Sequence, residues 1–123
     1  GSTHVYYMQV MLYDEQQTHV PREKFIAAVR AEGVPIWGGY VLPLYLNPMY
    51  QQRIAIGDKG FPFVGPHYDG ILRYDKGTCP VAEEYFEGRT IINPFLFPPL
   101  QIEDMDDIAD AIIKVMDNLE QIE

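Results

Sequence analysis

Three histidines, one cysteine, two adjacent glutamates and a run of tyrosines are the groups in this chain that could do chemistry. His4, His19 and His67 stand fifteen and forty-eight residues apart, and none lies at short spacing from another histidine, a cysteine or a paired carboxylate, so no metal site is predicted. Cys79 precedes Pro80 at a helix start, where backbone donors favour a thiolate. No nucleophile signature surrounds it, and a small buried thiol is expected. Glu83 and Glu84 cannot face one substrate as an acid–base pair, because neighbours on a helix point about 100° apart; both are expected at the surface. Neither GxGxxG nor GxxxxGK occurs, which excludes nucleotide binding by those devices. No catalytic or cofactor-binding residue is therefore assigned. What remains is the twenty-residue stretch Gly33–Gln52, GVPIWGGYVLPLYLNPMYQQ, with three glycines, three prolines, one tryptophan and three tyrosines. That composition suits neither a helix nor a central strand, since proline lacks the N–H a ladder needs. Aromatic loops on rigid supports are frequently binding surfaces, and equally often pack their rings on their own domain.

The elements that would hold this loop can be read on either side of it. Val5–Tyr13, VYYMQVMLY, is nearly continuous in apolar, aromatic and β-branched residues and reads as a central strand covered on both faces. DEQQTHV reads as a turn cluster leading to Pro21, which opens a helix over Pro21–Glu32. Phe25, Ile26 and Val29 form its buried stripe, Arg22, Lys24 and Arg30 lie elsewhere, and Gly33 supplies the left-handed stop. Beyond the loop, Arg53–Gly77 is punctuated by glycine and proline and reads as irregular; so long a segment either covers something or is ordered by a neighbour. Cys79 and Pro80 open a short helix to about Glu87, ended by Gly88. RTIIN, Arg89–Asn93, stopped by Pro94, reads as an edge or short strand. A final helix over about Glu103–Ile122 repeats Met105, Ile108, Ala109, Ile112, Val115, Met116, Leu119 and Ile122 at steps of three and four, with both methionines read as core filling.

Length and charge bound the rest. The 123 residues fit one domain, here 3–123, with Gly1 and Ser2 read as a tag remnant. The net charge is −9, and Gln101–Glu123 alone carries eight acidic residues against Lys114. Carboxylates crowding the first turns of the last helix suit its positive end and make a solvated face. Without a basic footprint, nucleic acid and anionic membrane are disfavoured as partners. One cysteine precludes an internal disulfide, no apolar run approaches the length of a membrane span, and a cytoplasmic protein is expected.

Taken in order, the aromatic strand, PREKFIAAVRAEGV, GYVLPLYLNPMYQ, CPVAEEYFEGRTI and EDMDDIADAIIKVMDNL resemble the C-terminal part of the DegT/StrS aminotransferases, over about Val5–Leu119. These are pyridoxal phosphate enzymes of the aspartate aminotransferase fold (type I) that act on keto sugars and keto cyclitols. The resemblance implies an α/β (α+β) small domain, a short, largely antiparallel sheet flanked by helices. It further implies a large pyridoxal phosphate-binding domain elsewhere in the parent chain and a homodimeric parent. The loop after the first helix would then face the active-site mouth, with Tyr40, Tyr45, Tyr50 and Trp37 lining it. A family pattern like HYxPLH falls here on Gly39, Tyr40, Pro43, Leu44 and Tyr45; the middle three match, whereas Gly39 and Tyr45 replace both histidines. A phenol can hydrogen-bond a substrate hydroxyl but offers a phosphate no positive charge, and GGYVLPLY is similar to the loops of scyllo-inosose aminotransferases. Lys24, Lys59, Lys76 and Lys114 have none of the family's Schiff-base lysine context. The chain alone is therefore expected to be inactive and to bind no cofactor tightly. Two alternatives stay open: a stand-alone interaction module of the same fold, and the small domain of a related sugar dehydratase.

Overall fold

The computed structural model describes residues 1–3, 5–66 and 68–122, so His4 and His67 lie outside the described residues. In chain order the elements are β1 (Gln9–Leu12), α1 (Glu15–Thr18), α2 (Arg22–Ala31), β2 (Trp37–Gly38), a 3₁₀ turn (Leu44–Leu46), α3 (Pro48–Gln51), α4 (Pro80–Glu84), a π turn (Tyr85–Arg89), β3 (Thr90–Asn93), α5 (Ile102–Met116) and a closing 3₁₀ turn (Leu119–Gln121). The chain divides into two compact units, Gly1–Tyr40 with Glu87–Glu123, and Val41–Phe86.

The first unit is an α+β small domain: a three-stranded antiparallel sheet in the order β1-β3-β2, with helices packed on it. The order bears on two expectations. The RTIIN strand, read as an edge or short strand, is short at four residues but stands at the centre, with Gln9 opposite Asn93 and Leu12 opposite Thr90 on one side, and Trp37 opposite Ile92 on the other. Pro94 does not demote it, because it stands one residue past the last ladder position and removes no ladder bond. The aromatic strand, expected at the centre, is the edge strand β1. It is only four residues long, and Val10 and Leu12 are 55% and 57% exposed while Met11 packs on the core. Apolar density there marks one covered face, not two.

Asp14 caps α1 by accepting from the N–H groups of Gln16 (3.0 Å) and Gln17 (3.2 Å), giving a helical turn inside the predicted turn cluster. Tyr13 then stacks on Phe25, ring centroids 4.9 Å apart, and donates to the Val20 carbonyl at 2.8 Å. Helix α2 starts after Pro21 and ends at Gly33, whose φ of 98° confirms the left-handed stop. Its Phe25, Ile26 and Val29 are buried, as the spacing predicts. Arg22 departs from the prediction: it is buried, its Nη1 donating to the Thr90 carbonyl (3.2 Å) and its Nη2 and Nε to Glu23 Oε1 (2.7 and 3.0 Å). That guanidinium lies so close over β2 that a Cβ on Gly38 would sit 2.8 Å from it, so the strand passes beneath as glycine.

Helix α5 closes the core with Ile108, Ala111, Ile112 and Val115. Asp104 accepts from the Gln101 N–H at 2.7 Å to fix its start, and Lys114 pairs with Glu32 at 2.6 Å. The helix ends at Met116, short of the predicted Ile122, and the residual turn Leu119–Gln121 keeps Leu119 and Ile122 against the core. Ala109 and Met116 are exposed, so Met116 is not core filling. No helix among the described residues is long and apolar enough to cross a membrane.

The second unit has little regular structure, as the glycine and proline spacing predicts; its one isolated bridge among the described residues joins Ile56 and Phe61. Among those residues Glu83 is the only buried one.

Candidate functional site

The Gly33–Gln52 stretch is not one loop. Its first part is built into the core of the first unit: Val34 and Ile36 are buried, Trp37 and Gly38 form β2, and the Gly39 N–H donates to the Thr90 carbonyl at 2.8 Å. A two-residue edge strand needs few ladder bonds, which is how it fits between Pro35 and Gly39. Trp37, half-buried, is thus placed by strand pairing. Tyr40 ends the unit, 51% exposed as a residue, with its hydroxyl 3.2 Å from that of Tyr7 and the two rings edge to face at 6.4 Å. The hydrogen bond with Tyr7 pushes the Tyr40 pKa up.

Tyr45 and Tyr50 belong to the second unit. Tyr50, on α3, packs its ring on Tyr74 (5.4 Å between centroids) and Phe63 (6.1 Å), and those two meet edge to face at 6.2 Å. Gln51 ties the same segments together, its Nε2 donating to the carbonyls of Tyr45 (2.8 Å) and Tyr74 (2.6 Å). Asn47 donates to the Leu44 carbonyl at 3.0 Å and holds the 3₁₀ turn that carries Tyr45.

The Tyr45 hydroxyl donates to Glu83 Oε1, and the Gly77 N–H donates to the same oxygen at 2.6 Å. Glu83 is 7% exposed, against the surface position expected from helical geometry. Burial, and next the bonded Glu83 charge, push the Tyr45 pKa up to about 12, because both penalise a phenolate. Glu83 moves the other way: donation from Tyr45 first and Gly77 second holds its carboxyl below the ordinary value, with Lys76 adding to the effect. The result is a buried, ionised carboxylate with its donors in place, and a phenol that stays protonated. Cys79, expected buried, is exposed at the head of α4 and borders a shallow apolar depression with Pro80, Val81, Ala82 and Tyr85.

Of the four residues expected to line a site, the structure puts Tyr45 and Tyr50 in the second unit and Trp37 and Tyr40 in the first, and it adds Glu83, Gly77, Tyr74 and Gln51, which sequence reasoning did not name, around Tyr45 and Tyr50. A signal for Glu83 was present: a glycine turn stands just before a proline-led helix with an acid in its first turn, where a carboxylate can fold back onto turn N–H groups. No group of three or more His, Cys, Asp or Glu among the described residues could hold a metal ion.

A protein of Micromonospora echinospora, named by inference as an L-glutamine:3-amino-2,3-dideoxy-scyllo-inosose aminotransferase, is 32% identical over 100 residues covering 80% of this chain. The relative is an aminotransferase. This chain spans only 23% of its length. No protein-family model matches the chain, and no solved structure matches it.

An aminotransferase implies pyridoxal phosphate, which needs a lysine for its aldehyde, a carboxylate at its ring nitrogen and donors for its phosphate. The lysines here do not meet that need. Lys24, Lys59 and Lys76 are exposed, and Lys114 is engaged with Glu32. The one buried carboxylate of the second unit already accepts from Tyr45 and Gly77.

Proposed function

We propose that this chain is the C-terminal small domain of a DegT/StrS-type aminotransferase that transfers an amino group to a keto sugar or keto cyclitol. The observation that carries the reading is the 100-residue match to the M. echinospora aminotransferase, at 23% of that protein's length. The open face of β1 supports it, because a sheet edge with exposed Val10 and Leu12 suits a neighbour in the rest of a parent chain. On this reading the cofactor and its lysine belong to that remainder, which pairs as a homodimer, and this chain supplies the mouth of the substrate site.

The four residues named as lining, Trp37 and Tyr40 in the first unit and Tyr45 and Tyr50 in the second, differ in what their polar atoms are free to do. Tyr40 carries an exposed phenol that can donate to or accept from a substrate hydroxyl. Tyr45 contributes the flank of its ring, since its hydroxyl is committed to Glu83. Tyr50 presents a face of its own aromatic cluster, and Trp37 is held by strand pairing. None offers a cation, which favours an uncharged polyol over a sugar phosphate.

The test is spectroscopic, on the full-length parent with bound cofactor. Addition of L-glutamine should convert the cofactor to its amino form, and a keto cyclitol should return it. A parent whose cofactor responds to no amino donor would overturn the proposal.

A further inference from the structure

Residues 41–86 have no buried apolar side chain among those described, and the single buried group is a carboxylate. Apolar burial of that extent cannot offset the cost of ordering so many residues, so the polar contacts around Glu83 carry unusual weight. Three stretches distant in sequence converge there. The 3₁₀ turn sends the Tyr45 hydroxyl, the glycine turn after Tyr74 sends the Gly77 N–H, and α4 supplies the carboxylate. Gly77 presents its N–H at a φ of 96°, a backbone state most side chains resist. An acid serving only its own helix end would take the N–H groups of that helix. The backbone of Cys79 at the head of its own helix favours the Glu83 charge as well, yet Glu83 Oε1 also takes donors six residues back and thirty-eight residues back.

We propose that Glu83 is a positioning residue: acting through Tyr45 and Gly77, it fixes the 41–52 segment that forms the substrate mouth. It touches no substrate. The latch itself stands on the hydrogen bonds, while its consequence for catalysis rests on the function proposed above, and the two are separated by experiment.

In the 123-residue chain, Glu83→Leu removes the shared acceptor, whereas Glu83→Gln keeps an oxygen there without the charge. Hydrogen exchange of Glu83→Leu should accelerate about tenfold or more at Gly77 and across 41–52, leaving the amides of β3 and α2 unchanged, with Glu83→Gln between the two. Unchanged exchange in 41–52 would overturn the latch. In the parent, Glu83→Leu should lower kcat/KM for the keto acceptor by roughly ten- to a hundredfold, the cost of a misplaced mouth residue. Glu83→Gln should recover most of that loss, and Tyr45→Phe should add little to Glu83→Leu. Equal kcat/KM for Glu83→Leu and the unaltered parent would overturn the positioning role. A parent inactive with every amino donor would sink the functional reading, and the exchange experiment would then decide the latch alone.

Discussion

Ile36 and Leu44 lie eight residues apart in one glycine- and proline-rich stretch, yet truncating them should have very different consequences. Ile36 is 0% exposed in the core of the first unit, while Leu44 is 69% exposed in the second. Replacing Ile36 by alanine removes three buried carbon groups at about 0.8 kcal/mol each, roughly 2.4 kcal/mol of transfer free energy. The cavity left in the core of the first unit adds to that, so a total of about 3–4 kcal/mol is expected, within the range for large-to-small core changes. Leu44→Ala should stay within about 0.5 kcal/mol of the unaltered chain. The assay is urea unfolding followed by the fluorescence of Trp37, next in sequence to Ile36, and by far-ultraviolet circular dichroism. Ile36→Ala should move the midpoint with little change in slope, and its Tm should fall on the order of 10 °C. A loss below about 1 kcal/mol, or one equal to that of Leu44→Ala, would refute the assignment of residues 34–38 to the core.

Three further outcomes follow from individual contacts. Gly38→Ala places a Cβ 2.8 Å from the buried Arg22 guanidinium, and thermal unfolding should register a loss of about 1–3 kcal/mol; an unchanged Tm would contradict the close approach. Asp104→Ala frees the Gln101 N–H at the start of α5 and should cost about 1 kcal/mol in the same measurement, whereas Asp106→Ala, two residues on and exposed, should not. The third concerns pH. With its folded pKa pushed up to about 12 from an ordinary 10.0, Tyr45 contributes stability that is complete below about pH 10 and lost as pH rises toward 12. Glu83, held low by Tyr45, Gly77 and Lys76, contributes above the ordinary carboxylate range and loses that contribution as pH falls through its lowered value. Ultraviolet titration of the chain minus that of Tyr45→Phe isolates the phenol; a midpoint near 10 in that difference would contradict the buried bond to Glu83.

Local chemistry made α2, α4 and α5 legible, but not the single-turn helices α1, read as a turn cluster, and α3, inside a stretch whose composition disfavours a helix. Gly33 ends α2 at a positive φ, and the threefold and fourfold steps of Ile108, Ile112 and Val115 place α5 on the core. Strand order was not legible in the same way, because apolar density reports how much surface a segment offers and not which edges find partners. The richest run, Val5–Tyr13, became an edge, and the four-residue Thr90–Asn93 became the centre because both β1 and β2 pair with it. Trp37 escaped for a related reason: a two-residue strand between Pro35 and Gly39 has no periodicity to detect. Of the candidate site, the resemblance pointed to Trp37, Tyr40, Tyr45 and Tyr50, but the bond that holds Tyr45 joins residues thirty-eight apart, and helical geometry alone sent Glu83 to the surface. Tertiary pairing of a phenol with a carboxylate leaves no local mark beyond the glycine turn at Gly77.

The central proposal is that this chain frames a substrate site whose reactive centre lies outside it. The direct measurement adds pyridoxal phosphate and L-glutamine to the 123-residue chain and to its full-length parent. Each is then reduced with borohydride and analysed by mass spectrometry for lysine labelling, with formation of the keto acid followed in parallel. The parent should carry one stoichiometric label outside these residues and turn over glutamine, while the chain alone gives neither. Stoichiometric labelling of Lys24, Lys59, Lys76 or Lys114 together with turnover by the isolated chain would contradict the account.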